Sequence, residues 1–185
     1  LIVNLILFSV FSVIWVVLLG FGSPLLILSG ILFGKWVGTA ISTVSISVGA
    51  LSLYIIASYF FKDLVNQILK DKFEKYIERF QKNEFYYFFA FRLAGGLGIP
   101  FFLQNVLPVI FKMKNYNYFF ASFLGFIPSF FIWNTIGSGI NKFIKEADEF
   151  NFISLILSRE ILFPLLIFIV LILVSLVVKK KFFND

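Results

Sequence analysis

The residue types best suited to chemistry lie in one stretch, Phe91-Arg92-Leu93-Ala94-Gly95-Gly96-Leu97-Gly98-Ile99-Pro100, continued through Gln104-Asn105 to Pro108. Arg92 is charged at any ordinary pH and offers five donors in a fork that fits a phosphate. Gly95, Gly96 and Gly98 leave backbone N–H groups free to approach an anion, as nests do. Pro100 and Pro108 interrupt the helix, so half-helix N-termini would aim partial positive charge at the same place. Asn105 adds an amide donor. The shared chemistry is recognition of an anionic headgroup. Two plainer readings stand beside it. Arg92 snorkels to an interface and binds lipid there without moving it, and the glycines serve tight turn packing as readily as phosphate contact.

The setting sharpens the question. Of the 185 residues 60% are hydrophobic and 14% charged, and the mean hydropathy is +0.97. Soluble domains run to roughly 45–50% apolar and about 25% charged. The chain is therefore read as an integral membrane protein, with length for one compact membrane domain. An arginine at mid-bilayer costs on the order of 2.5–3.5 kcal/mol. Irregular backbone at that depth is tolerated only where it is buried in protein or lines a wet cavity. The chain has no Cys and no His. That excludes thiol chemistry, disulfides, Cys/His metal centres and His-based acid–base catalysis. The apolar spans hold no acid pair, and Glu84 and Glu160 stand at segment edges as interface markers, so an enzyme is not expected, nor any cofactor or metal.

The elements that must position this stretch follow from hydropathy and breakers. Residues 1–19 are uncharged and apolar and predict an N-terminal transmembrane helix, with a preceding piece expected to be missing. No charged n-region or small-residue cleavage site marks a signal peptide there. Gly20-Phe21-Gly22-Ser23-Pro24 is a breaker cluster. Leu25 to Gly34, ending at Lys35-Trp36, is apolar but too short to cross, which predicts a re-entrant hairpin; the alternative is one long helix from Pro24. Val37 to Phe61 predicts a second span, rich in small residues such as Gly38, Ser42 and Gly49 that let backbones approach closely. Gly30 and Gly34 are a small-xxx-small pair of the same kind.

Lys62 to Asn83 alternates at helical spacing between an apolar face (Leu64, Ile68, Phe73, Ile77, Phe80) and charges, and predicts an amphipathic helix against anionic headgroups. Its six Lys and Arg argue for the cytoplasmic side. Tyr116 to Gly137 predicts a third span, kinked at Gly125-Phe126-Ile127-Pro128. Ser138 to Phe150 reads as a shorter amphipathic piece, and Ile161 to Val178 as the last span, stopped by Lys179-Lys180-Lys181. With those lysines inside, the N-terminus also falls inside, the first hairpin opens outside and the Arg92 segment enters and leaves from the cytoplasm. Excluding Arg92, eleven Lys and Arg then lie inside and four outside.

The expected fold class is thus all-α integral membrane: about four transmembrane helices, two facing re-entrant hairpins in an inverted-repeat, transporter-like arrangement, and a cytoplasmic amphipathic helix. The divisions are residues 1–19, a core over 20–139, and a connector with the C-terminal helix over 140–185.

An ordered set of landmarks carries a resemblance across roughly Gly20 to Gly139: Gly22-Ser23-Pro24-Leu25, Gly30, Phe33-Gly34, Gly38, Gly49-Ala50, then Phe91-Arg92, Pro100 and Asn105, and last Gly125-x-x-Pro128 with Gly137. In these the chain resembles VTT-domain proteins of the DedA superfamily, also called SNARE-associated Golgi proteins. The resemblance implies paired re-entrant hairpins and lipid scrambling or flipping, of phospholipid or polyprenyl phosphate, with a part in envelope homeostasis. It also implies a bacterial inner-membrane location. Three departures stand out. Arg92 to Pro100 is eight residues where the family usually has about six. Leu107-Pro108-Val109 replaces a small-residue motif. Ser58 stands near the place of an arginine often seen at the end of the second helix. Some members are proposed to couple to protons through acids in the first hairpin; here no Asp or Glu lies between Leu1 and Lys62, which speaks against it.

Arg92, Gly95, Gly96, Pro100, Asn105 and Pro108 are the expected substrate-binding residues, and Gly22, Pro24, Gly30, Gly34, Gly49, Gly125 and Pro128 the expected hairpin and packing residues. Membrane lipids are the expected partner, through a phosphate headgroup; nucleic acid is not, and a homo-oligomer stays open. A structural or assembly factor, in which Arg92 only holds the fold, is the alternative function.

Overall fold

The computed structural model describes residues 2–61 and 74–146, together with 162 and 166. The expectations for 62–73, for the last span and for the C-terminal lysines lie outside the described residues. Among the described residues every regular element is helical.

α1 (Ile2–Val17) contains neither Gly nor Pro and ends in a turn at residues 18–21. The turn closes with Gly20 N–H on Trp15 O (2.8 Å) and Leu19 N–H on Val16 O (3.1 Å), with Leu19 left-handed at φ 65°. This is a Schellman-type stop. Gly20 leaves room for the Trp15 indole, which a Cβ there would displace and whose Nε1 donates to Phe21 O at 3.0 Å. α2 (Gly22–Phe60) begins at once, with Pro24 in its first turn, where no backbone N–H is missed.

α2 is two helices joined at Gly34, whose φ of 75° and ψ of 174° only glycine adopts readily. The chain reverses there. The hydroxyls of Ser29 and Ser42 lie 2.7 Å apart, whereas thirteen residues of straight helix would separate them by about 20 Å. Phe8 meets Phe33 with ring centroids 5.5 Å apart, and the backbone of Val13 and the side chain of Val16 abut Gly49. α1 and residues 22–33 are therefore the antiparallel arms of one hairpin. Its turn at 18–21 stops midway along residues 35–60, which form about 39 Å of helix.

The second half repeats this plan. α3 (Glu74–Lys82) leads into α4 (Glu84–Leu93), a turn at residues 94–100, and α5 (Phe101–Val106), extended by a 3₁₀ turn, Leu107–Val109. Lys112, left-handed at φ 50°, then feeds the 32-residue α6 (Asn115–Glu146). Each half is thus a hairpin, a left-handed junction (Gly34 or Lys112) and a long helix. The two long helices run antiparallel: Trp36 packs on Phe131 at 5.0 Å, and Tyr54 stacks on Tyr118 at 4.5 Å. The hairpins consequently open at opposite ends and their turns meet, since a side chain at Gly22 would touch the Phe101 ring at 3.8 Å.

Three expectations are corrected. Residues 1–19 were read as a spanning helix, but Ile2–Val17 is the first arm of the hairpin. The reversal that makes the turn is at 18–21, and Gly34 is its junction with the long helix. The physical reason is that the breaker cluster at 20–24 joins two arms that are both apolar, so hydropathy alone carries no sign of direction. With that change the start of α1 lies at the same end as Gly34, not the opposite one. The piece from Ser138 is no separate element: α6 runs helically through Pro128 and on to Glu146. Two described helices, α6 and residues 35–60 of α2, are long and apolar enough to cross a membrane.

Small residues set the packing between the halves. A Cβ on Gly30 would strike the backbone of Asn134, and one on Gly137 the carbonyl of Ile27. In this close crossing Ser29 donates to Asn134 Oδ1, and Asn134 Nδ2 returns to Phe130 O (2.8 Å) within its own helix. Polar side chains thereby hold helices together where burial from water gives little drive.

Candidate functional site

The second hairpin aims Arg92 inward. Glu84, Phe88 and Arg92 recur every four residues and form the buried face of α4. Gly125 of α6 makes the approach possible, because a Cβ there would sit 2.5 Å from Arg92 Cβ. Arg92 is 1% exposed. Its Nη2 donates to Asn105 Oδ1 (2.7 Å) and Tyr118 OH (3.0 Å), and its Nη1 to Gln104 Oε1 (3.3 Å). Tyr118 OH donates in turn to Asn105 O at 3.1 Å. Phe126 and Phe88 stand at 4.6 and 4.7 Å from the guanidinium carbon, within cation–π range.

All three hydrogen-bonding partners are neutral. No carboxylate pairs with Arg92 among the described residues, while its Nε and the Nδ2 of Asn105 are buried with no partner. A buried charge normally finds a countercharge, and its absence separates this site from an ordinary buried ion pair. Glu84, the buried acid of the same face, is spent elsewhere. At 4% exposure it accepts from Asn117 Nδ2 (2.6 Å) and from Lys114 N–H (3.3 Å), closing the start of α6.

The turn that permits this is left-handed throughout: Gly95, Gly96, Leu97 and Gly98 have φ of 68°, 72°, 55° and 81°. Three glycines carry that hand cheaply, and Leu97 bears the strain. Gly96 is buried under the Gln104 side chain, whose Nε2 donates to Ile99 O at 2.7 Å. Gly95 and Gly98 are open, with no atom within 4 Å of a Cβ position. Pro100 is exposed and caps α5; Pro108 is buried in the following 3₁₀ turn.

Of the six expected binding residues, then, Arg92 and Asn105 are in contact, Gly96 backs them through Gln104, Gly95 and Pro100 lie on the exposed side of the turn, and Pro108 supports its return. Of the packing residues, Gly22, Gly30, Gly49 and Gly125 each lie at a close contact, and Gly34 at a reversal; Pro24 is exposed at a helix start and Pro128 lies inside α6. Sequence reasoning missed Tyr118 and Asn134. Both are polar residues in an apolar span, which is the signal that could have found them.

The fold and site define an all-helical membrane protein of two oppositely directed hairpins and two long helices. Residues 5–139 match the VTT domain, and the chain belongs to that family, the DedA/SNARE-associated Golgi group. The match takes in α1, in keeping with its place in the first hairpin. No solved structure matches the chain.

Proposed function

We propose that the protein moves lipids across the membrane, with both hairpins re-entrant from opposite faces and Arg92 as the contact for a lipid phosphate. The observation that carries this reading is a fully buried guanidinium with no carboxylate partner among the described residues. It stands between the second hairpin and α6, with the Phe101 ring 6.0 Å from it, beside the unpartnered donors Arg92 Nε and Asn105 Nδ2. An anion there would relieve both the uncompensated charge and the orphaned donors. Because Arg92 is closed off, a headgroup reaches it only when the second hairpin shifts against α6. The open glycines Gly95 and Gly98 and the left-handed turn are where such a movement costs least packing. Phospholipid and polyprenyl phosphate both present the required group. The chain would sit in a bacterial inner membrane with the mouth of the second hairpin and the C-terminus cytoplasmic, and serve envelope homeostasis.

A second reading has its own support. Three hydrogen bonds and two close aromatic faces on Arg92 also suit a purely structural clamp, and so a non-transporting assembly factor. Reconstitution decides between them. Purified protein in liposomes carrying fluorescent phospholipid or polyprenyl phosphate is assayed by chemical quenching of the accessible leaflet. Fast equilibration by wild type, lost in Arg92→Ala and partly restored in Arg92→Lys, is the expected result. No movement by folded wild type, or undiminished movement by a folded Arg92→Ala protein, would sink the phosphate-contact reading.

A further inference from the structure

At the end where the second hairpin opens, two separate elements are locked together and present cations. Phe80 of α3 stacks on Phe111 at 4.4 Å, and Gln81 Nε2 donates to Phe111 O at 3.1 Å. The backbone beside Lys82 is thereby fixed to the backbone beside Lys112. The turn that carries Lys112 and Lys114 is itself clamped. Tyr54 OH donates to Met113 O, Met113 is buried, and Lys114 N–H rests on Glu84. The buried Met113 between two exposed lysines, with Lys112 left-handed, turns both ammonium groups outward. Arg79, Lys82, Lys112 and Lys114 are all exposed, against Glu78 as the exposed acid of α3 among residues 77–82.

Exposed tyrosines mark the level of this patch. Tyr59, Tyr86 and Tyr116 are 81%, 70% and 70% exposed and belong to three different helices at the same end. Such amphipathic rings favour the headgroup layer of a bilayer. A basic patch held rigidly at that level fits an anionic lipid surface better than a soluble partner.

We infer that Arg79, Lys82, Lys112 and Lys114 form a preorganised binding site for anionic lipid headgroups at the mouth of the second hairpin. It is distinct from Arg92 and independent of whether lipids are translocated. The site needs no folding on binding, because the aromatic stack and the backbone clamps hold it in place.

The test is lipid retention by the full chain in detergent, read by native mass spectrometry. Phosphatidylglycerol is compared with phosphatidylcholine for wild type, Lys112→Gln/Lys114→Gln, Arg79→Gln/Lys82→Gln and Lys35→Gln. Wild type is expected to retain phosphatidylglycerol preferentially, with binding weakened about fivefold for each surface cation removed. The Lys35→Gln protein, changed at an exposed cation of the opposite end, should retain it as wild type does. A parallel fluorescence titration of wild type with labelled phosphatidylglycerol should weaken steeply between low and high salt, since exposed charges are screened; this measurement needs no variant to fold. Equal retention of the two lipids, insensitivity to salt, or unchanged binding by both double variants would overturn the site. Displacement by millimolar inorganic phosphate would also overturn it, by showing an ion site without need of a bilayer. Absence of translocation by folded wild type, with its phosphatidylglycerol retention intact, would count against the Arg92 reading alone.

Discussion

Gly125→Ala gives the most direct test of how the site is built. The new Cβ would lie 2.5 Å from Arg92 Cβ, 3.3 Å from Phe89 O and 3.4 Å from Leu93 N. Carbon atoms prefer a separation of about 3.5–4.0 Å, so α4 must retreat by roughly 1 Å. The obstacle is the root of the arginine and the helix backbone, which cannot swing aside as a side-chain tip would. Overpacking of this kind costs about 1–3 kcal/mol. A shift of that size also stretches the 3.0 Å bond from Arg92 to Tyr118 OH out of range, adding about 1–2 kcal/mol. The expected loss is about 2–5 kcal/mol. Gly95→Ala is the internal control. It meets nothing within 4 Å, and its cost is the φ of 68° alone, about 1–2 kcal/mol. Thermal stability of both variants in the same detergent, followed by loss of the monodisperse chromatographic peak on heating, compares them. A Gly125→Ala protein as stable as wild type, or less affected than Gly95→Ala, would refute the claim that close approach of α4 to α6 seats Arg92.

Two further outcomes follow from the packing. Gly137→Ala should cost about 2–4 kcal/mol by the same measure, because its Cβ would strike the carbonyl of Ile27 in the first hairpin; a neutral result would mean that the Gly30–Gly137 crossing is looser than described. Tyr118→Phe keeps the stack on Tyr54 but removes one bond to Arg92 and one to Asn105 O, for about 1–3 kcal/mol in a lipid setting; lipid exchange should survive it, and its loss with the fold intact would make the phenol part of the transport site.

Much was legible in the residues alone. Hydropathy named a membrane protein, and Arg92 among glycines and prolines marked the place where the second half breaks. The ordered landmarks from Gly22 to Gly137 pointed to the family that residues 5–139 match. These features are local: a glycine, a proline or a charge in an apolar run announces itself without its neighbours. Direction is not local. Leu1 to Leu19 has the composition of a spanning helix, and only its contacts with Phe33 and Gly49 show it to be one arm of a hairpin ending midway along α2. The partners of Arg92 are equally out of reach of spacing. Asn105 lies thirteen residues on and Tyr118 twenty-six, and the left-handed turn and the notch at Gly125 bring them to one guanidinium. The sequence determined that a costly charge had to be sheltered. The tertiary structure decided what shelters it: neutral amides, a phenol and aromatic faces, with no carboxylate among the described residues, because the buried acid of the same helix face sits two turns away and is held by the start of α6.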